Sequence, residues 1–213
     1  MNFLAHCGLA HDAALAWDVD SSTRKGLLAG AVIGDFVKGP IPARWPKALQ
    51  AGARLHRKVD ALSNVHPGVR QNCNRYPSHL RRFAPIFVDV LADHTLALTW
   101  SEYYEFPVET FSAECYDAIA AYQHYLSPQA QQFFAYMRDV NLLANYDHWH
   151  HVARGLKSVL RRLDRSHWFA EVERTSLAVV ADSHGDFRGY FPELRNTWSQ
   201  WDAFEVIAAQ QNL

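Results

Sequence analysis

The chain has 213 residues, of which 49% are hydrophobic and 13% aromatic, and its 21 Lys and Arg nearly balance its 22 Asp and Glu. This composition excludes a disordered chain, because low hydrophobicity and high net charge are what prevent a core from forming. The even charge balance also disfavours a nucleic-acid-binding protein. The longest nearly uncharged apolar stretch, residues 26–34, is far shorter than the roughly 20 residues of a membrane helix. We therefore expect one compact domain over residues 1–213, with neither nucleic acid nor a membrane as its partner.

The cysteines and histidines bear on compartment and chemistry. Cys7, Cys73 and Cys115 form no even set and no C-x-x-C pair, so reduced thiols in a cytoplasmic protein are expected. The N-terminal segment lacks the basic region of a secretory signal, and residues 1–12 are therefore expected to belong to the mature fold. Twelve histidines, several beside acidic residues, indicate a metal site.

Apolar residues recur at three- and four-residue steps along most of the chain, which is typical of helices. The first long helix is predicted over residues 24–37, with Ser21, Ser22 and Thr23 as N-cap candidates. Three prolines within seven residues predict a loop over 38–46. A helix over 47–64 is expected to end at His66-Pro67-Gly68. The most apolar helix, 85–100, is predicted to be central. Further helices are predicted over 107–125, 128–144, 147–164, 167–182 and 192–211.

Since no segment shows the alternation of a strand, we expect an all-α bundle. Several of its helix positions carry carboxylates and imidazoles where packing favours apolar side chains. His56 and Asp60 are four residues apart, as are Asp89 and Asp93, so each pair shares a helix face. Burying such groups is costly unless they are paired or bound to a cation. The whole set comprises His6, Asp35, His56, Asp60, Asp89, Asp93 and His94.

Imidazole and carboxylate ligands together suit Mn²⁺ or Mg²⁺ better than a metal that prefers thiolates. Each residue alone is more often part of a solvated pair or a core ion pair, such as Asp89 with Arg81 or Arg82. Because four separate segments of one all-α chain carry such residues, the metal site is favoured.

Other polar features carry weaker signals. Histidine-rich segments such as 147–151 more often lie on the protein surface than bind a metal. The doublet His11-Asp12 is short enough to occur by chance. Arg57 follows His56 and either reaches a phosphate at the site or shares a solvated face with Lys58. Two groups of arginines could steer an acidic partner: Arg81 and Arg82, and Arg161, Arg162 and Arg165.

Four motifs match a known family in order and in approximate spacing. They are Asn2-Phe-Leu-Ala-His6, Gly34-Asp35-Phe-Val-Lys-Gly39, His56-Arg57-x-x-Asp60, and Ala84-Pro-Ile-x-x-Asp89-x-x-x-Asp93-His94. With them the chain resembles the acyl carrier protein phosphodiesterases. The resemblance covers about the first 100 residues well and the C-terminal half only through helical pattern and scattered aromatics.

The resemblance implies an all-helical fold similar to the HD-domain phosphohydrolases. It implies hydrolysis of the phosphodiester that joins 4′-phosphopantetheine to a serine of acyl carrier protein, an acidic helical partner, with Mn²⁺ preferred. Asp35, His56, Asp60 and Asp93 would then form the core of the metal site. His6 would be a further ligand or support a ligand. Asp89 and His94 would orient groups or transfer protons.

Two alternatives remain open at this point. One is an HD-like phosphohydrolase of a small phosphoester or nucleotide, which turnover of free nucleotides would distinguish. The other is a non-catalytic helical module whose histidine and carboxylate cluster is structural and whose arginines bind an acidic protein. A measurement of bound metal would distinguish this non-catalytic module from the two enzyme hypotheses.

Overall fold

The computed structural model describes residues 1–198, which form nine α-helices, four short 3-10 turns and no strand. The predicted all-α class is therefore confirmed for this part of the chain. None of the described helices is both long and apolar enough to span a bilayer. The helices are α1 (Phe3–Ala16), α2 (Ser21–Ile33), α3 (Lys47–Val65), α4 (Pro67–Asn74), α5 (Ala84–Leu98), α6 (Val108–Tyr122), α7 (Pro128–Asp139), α8 (Trp149–Arg162) and α9 (Phe169–Thr197).

Helix α2 begins earlier than its apolar periodicity predicts. The Asp20 carboxylate accepts a hydrogen bond from the Thr23 backbone N–H at 2.7 Å and so caps the helix. The three predicted cap residues, 21–23, consequently lie in its first turn. A 3-10 turn, Gly34–Phe36, follows α2 directly. The loop predicted over residues 38–46 is confirmed, since no helix occurs there before α3 begins at Lys47.

The structure differs from the sequence prediction near two prolines. His66-Pro67-Gly68 does end α3, but Pro67 also starts α4, because proline fits the first helical turn and His66 Nδ1 accepts from the Gly68 N–H at 3.1 Å. Residues 169–197 form one helix, α9, across the break predicted between 182 and 192, with Pro192 inside it. The remainder of the predicted helix 192–211, beyond residue 198, lies outside the described residues.

Helix α7 is shorter than predicted and ends at Asp139 rather than near residue 144. Asn141 follows with a φ of 44°, a left-handed conformation that a helix cannot continue through. The backbone turns there and leads to Tyr146 and α8.

Helix α5 is central, as its apolar composition predicts. It packs against α1, α4, α8 and α9, and most of its side chains are buried. Its inward polar residues consequently face other helices rather than water. This position lets α5 support the N-terminal end of α1, where the candidate site lies.

Helices α2 and α3 approach so closely that their backbones touch. A Cβ atom on Gly30 would lie 2.5 Å from the Gly52 Cα, and one on Gly52 would lie 2.6 Å from the Gly26 carbonyl oxygen. Such distances leave no room for a side chain at either position. The glycines therefore set the separation of the two helices and bring the C-terminal half of α3 against the end of α2.

Replacing Gly30 by alanine tests this contact. We expect Gly30→Ala to destabilise the fold by about 1–3 kcal/mol, because the added methyl group meets backbone that cannot move aside. The matched control is Gly185→Ala in α9, where no atom lies within 4 Å of the new Cβ. At that position the better helix propensity of alanine should raise the free energy of unfolding by up to about 1 kcal/mol. Urea unfolding measures both; equal stabilities of the two variants would contradict the close approach.

Candidate metal centre

Three side chains from two helices converge beside the end of α2. One ligand atom each of His6, His56 and Asp60 lies within 4.8 Å of the others, and no other such group occurs among residues 1–198. His6 Nε2 is 3.0 Å from Asp60 Oδ1, and His56 Nε2 is 3.3 Å from Asp60 Oδ2. The two imidazole rings stack with their centroids 4.0 Å apart. The four-residue spacing of His56 and Asp60 on α3 thus gives the shared face that the sequence predicts.

The hydrogen bonding of His56 leaves its Nε2 as a lone pair. His56 Nδ1 lies 2.9 Å from the Ala31 carbonyl oxygen, which can only accept, so Nδ1 carries the proton and donates it. Metal-bound histidines ordinarily use their other ring nitrogen in this way. Since the Nε2 lone pair faces a carboxylate oxygen, two acceptors oppose each other, and a cation between them would remove the repulsion.

His6 is also suited to bind a cation. Burial, with His56 beside it, lowers the pKa of His6 to about 3, so the ring is neutral at pH 7, as a metal-binding imidazole must be. His6 Nε2 faces two oxygens, Asp60 Oδ1 and the Met1 carbonyl at 3.1 Å. Its other nitrogen, Nδ1, is buried and has no hydrogen-bond partner.

A positive charge already lies at the edge of this cluster. The Met1 ammonium donates to Asp89 Oδ1 at 2.6 Å and lies 3.9 Å from Asp60 Oδ1. Burial opposes the charge, yet Asp89 and Asp60 raise the pKa of this amine above its ordinary value. Burial likewise works against ionised Asp60, but the hydrogen bond from His6 and the nearby Met1 ammonium hold the pKa of its carboxyl well below the usual range. The carboxylates therefore favour a cation here, and the donor set fits a divalent metal.

Asp93 lies next to the cluster but binds the backbone. Its two carboxylate oxygens accept from the Leu4 N–H at 2.7 Å and the Ala5 N–H at 3.0 Å, in the first turn of α1. Asp93 and Asp89 share one face of α5, as predicted, and that face holds the N-terminal segment. Asp93 consequently positions α1, and with it His6; as a metal ligand it stays a prediction.

The other predicted site residues lie outside the cluster. Asp35 is exposed in the 3-10 turn after α2. His94 Nδ1 donates to the Tyr146 carbonyl at 2.7 Å, and its ring packs against Trp149 and His184, on the α8 and α9 side of α5. Arg57 donates to the Val37 and Gly39 carbonyls at 3.0 and 2.5 Å, so its guanidinium holds the loop.

The weaker candidates have structural partners. His11 Nδ1 accepts from Arg24 at 2.7 Å, and Asp12 pairs with Arg195 at 2.6 Å, so each residue of the doublet has its own ion or hydrogen-bond partner. The ligand atoms of segment 147–151 do not converge on one point. Neither feature therefore forms a group of three metal donors within residues 1–198.

Some contacts could not be found from sequence patterns. Nothing in the sequence marks the Ala31 carbonyl as the partner of His56. Tyr146 accepts from Asn2 Nδ2 at 2.7 Å through its hydroxyl, and its carbonyl binds His94, although it stands in a segment without a motif. His184 lies beside His94 from a helix more than 80 residues later, and only the fold brings the two together.

Comparison with known proteins decides the family. The family model described as acyl carrier protein phosphodiesterase matches residues 1–194. The chain belongs to this family. The acyl carrier protein phosphodiesterase of Photorhabdus laumondii is 34% identical over 166 residues, which cover 78% of each chain. That of Escherichia coli O139:H28 is 33% identical over 181 residues, covering 79% of this chain and 85% of the relative. No solved structure matches the chain.

Because Asp93 is a buried acid, the stability of the fold should depend on pH. Burial raises the pKa of Asp93 to about 7, against the two N–H donors that favour its ionised form. Between about pH 4 and pH 7 the folded protein therefore holds a proton at Asp93 that the unfolded chain has lost. The contribution of Asp93 to the free energy of unfolding should consequently fall as the pH rises through this interval.

Urea unfolding of Asp93→Asn at pH 5 and pH 8 measures that contribution. The variant should be less stable at both pH values by about 1–3 kcal/mol, because one amide oxygen cannot satisfy both N–H groups as two carboxyl oxygens do. Its stability should also depend less on pH than that of the wild type. Asp117→Asn, which changes an exposed carboxylate on α6, is the control. An unaltered pH dependence in Asp93→Asn would refute the raised pKa.

Proposed function

We propose that this protein is a metal-dependent phosphodiesterase that releases 4′-phosphopantetheine from holo acyl carrier protein. The proposal rests on the family match over residues 1–194 together with a cluster of two buried imidazoles and a partly exposed carboxylate. Neither observation alone would be enough, since a family can contain inactive members and a cluster does not name a substrate.

His6, His56 and Asp60 are the residues that would hold the metal. We propose Mn²⁺, with Mg²⁺ as the alternative, because nitrogen and carboxylate donors occur together without a thiolate. Such an ion, when bound, lowers the pKa of water and neutralises charge on phosphoryl oxygens. Asp35, from the adjoining turn, and Asp93 are proposed as further ligands in the loaded enzyme.

The reaction needs a proton at the leaving group. The oxygen of water joins phosphorus, the bond between phosphorus and the serine oxygen breaks, and the serine oxygen takes up a proton. We assign the proton donor to Asp89, because burial raises the pKa of its carboxyl and the Met1 ammonium donates to it, so that this pair holds a proton at the edge of the cluster. The products are apo carrier protein and 4′-phosphopantetheine, and no covalent intermediate is required.

We propose that His94 and Arg57 position other parts of the site and do not touch the reacting atoms. His94 fixes Tyr146, whose hydroxyl accepts from Asn2, so it orients the segment that carries His6. Arg57 fixes the loop beside the site through two carbonyl oxygens. We place the protein in the cytoplasm, which its three free thiols support.

The mass of holo acyl carrier protein after incubation with this protein tests the proposal. With Mn²⁺ we expect a loss of roughly 340 Da, the mass of the prosthetic group, and with EDTA no change. His56→Ala should abolish the loss because it removes a metal donor. His150→Ala, which changes an exposed histidine outside the cluster, should leave the loss unchanged.

Two results would contradict the proposal in different ways. An unchanged carrier mass in the presence of Mn²⁺ would exclude this substrate and direct the search to small phosphoesters and nucleotides. Full activity of His56→Ala would mean that the metal cluster is assigned wrongly.

A further inference from the structure

Positive charge is concentrated in one part of this nearly neutral chain. Residues 36–88 contain ten of the 21 Lys and Arg but only one of the 22 Asp and Glu, Asp60. The remaining residues consequently carry more acidic than basic side chains. The basic part comprises the loop after α2, helices α3 and α4, and the segment that leads to α5.

Most of these cations already have partners. Arg75 pairs with Asp182 and Asp186, and Arg81 donates to the Tyr76 carbonyl. In the loop and at the start of α3, by contrast, three exposed basic residues make no side-chain hydrogen bond, ion pair or ring contact within residues 1–198. We call them the basic rim: Lys38, Arg44 and Lys47.

The loop that carries the basic rim is fixed in place. Arg57 binds the carbonyls of residues 37 and 39, and Gln50 Nε2 donates to the Ala43 and Trp45 carbonyls at 3.1 and 2.7 Å. The Trp45 side chain is buried and packs against Tyr125. Because these contacts order the loop in advance, a partner binding there loses less conformational entropy.

The basic rim adjoins the metal cluster. The loop begins directly after Asp35 and Phe36, and Gly34 lies so close to His56 that an added Cβ would be 2.9 Å from the His56 Cβ. The cluster residue His56 and the loop anchor Arg57 are also consecutive on α3. A partner that contacts the Lys38 end of the rim therefore lies beside the candidate site.

We propose that the basic rim is the docking surface for the acidic face of the carrier protein. This inference rests on the proposed function and names where its substrate binds. A compact acidic protein fits better than a nucleic acid, because a long polyanion would extend from the rim onto the more acidic remainder of the chain. Exposed charges of this kind speed association and set the choice of partner more than they add affinity.

Charge reversal tests the rim. In Lys38→Glu/Arg44→Glu/Lys47→Glu we expect the KM for holo carrier protein to rise roughly tenfold or more while kcat stays unchanged. High salt should weaken carrier binding to the wild type and have less effect on the variant. The matched control is Arg161→Glu/Arg162→Glu/Arg174→Glu, which reverses three exposed arginines of α8 and α9. It should stay within about twofold of the wild type.

Binding of labelled apo carrier protein, followed by fluorescence anisotropy, separates docking from catalysis. If the wild type cleaves the carrier but the rim variant behaves like the control, the docking surface is wrong and the function stands. If the wild type binds without cleaving and the rim variant loses binding, the function is wrong and the rim stands. Absence of both cleavage and binding refutes both. Should the reversed variant misfold in a thermal unfolding check, the neutral variant Lys38→Gln/Arg44→Gln/Lys47→Gln answers the same question.

Discussion

The direct contact between the α2 and α3 backbones is the constraint on which the candidate site depends. Because Gly30 and Gly52 present no side chains, α3 lies close enough to α2 for His56 to reach the Ala31 carbonyl. That hydrogen bond fixes the ring and its tautomer, so a lone pair on Nε2 faces Asp60. A packing feature with no chemistry of its own thus determines which atom is available to a metal.

The second support comes from the central helix. Asp93 accepts two N–H groups from the first turn of α1, and Asp89 binds the Met1 ammonium. Since the first backbone N–H groups of a helix have no partners within it, a buried carboxylate there both satisfies them and fixes the position of the helix. His6 follows directly after these two residues on α1 and is carried to the same place. Two helices are therefore held independently, and their side chains meet at the cluster.

Local spacing explains which parts of the site could be predicted. The four-residue separation of His56 and Asp60 is enough to place them on one face, and the same holds for Asp89 and Asp93. What those faces meet depends on tertiary packing: the partner of Asp93 is backbone, which has no sequence signature. The break predicted between residues 182 and 192 is wrong for a related reason. Buried Phe187, Tyr190 and Phe191 pack α9 into the core and outweigh the local tendency of proline to end a helix.

Pulsed electron paramagnetic resonance of the Mn²⁺-loaded protein tests most directly whether His6 and His56 bind one metal ion together with Asp60. Nitrogen atoms bound to Mn²⁺ give resolved couplings in such spectra. The arrangement described above predicts couplings from two imidazole nitrogens in the wild type and from one in His56→Ala. Spectra without nitrogen coupling, or with the same two couplings in both proteins, would contradict it.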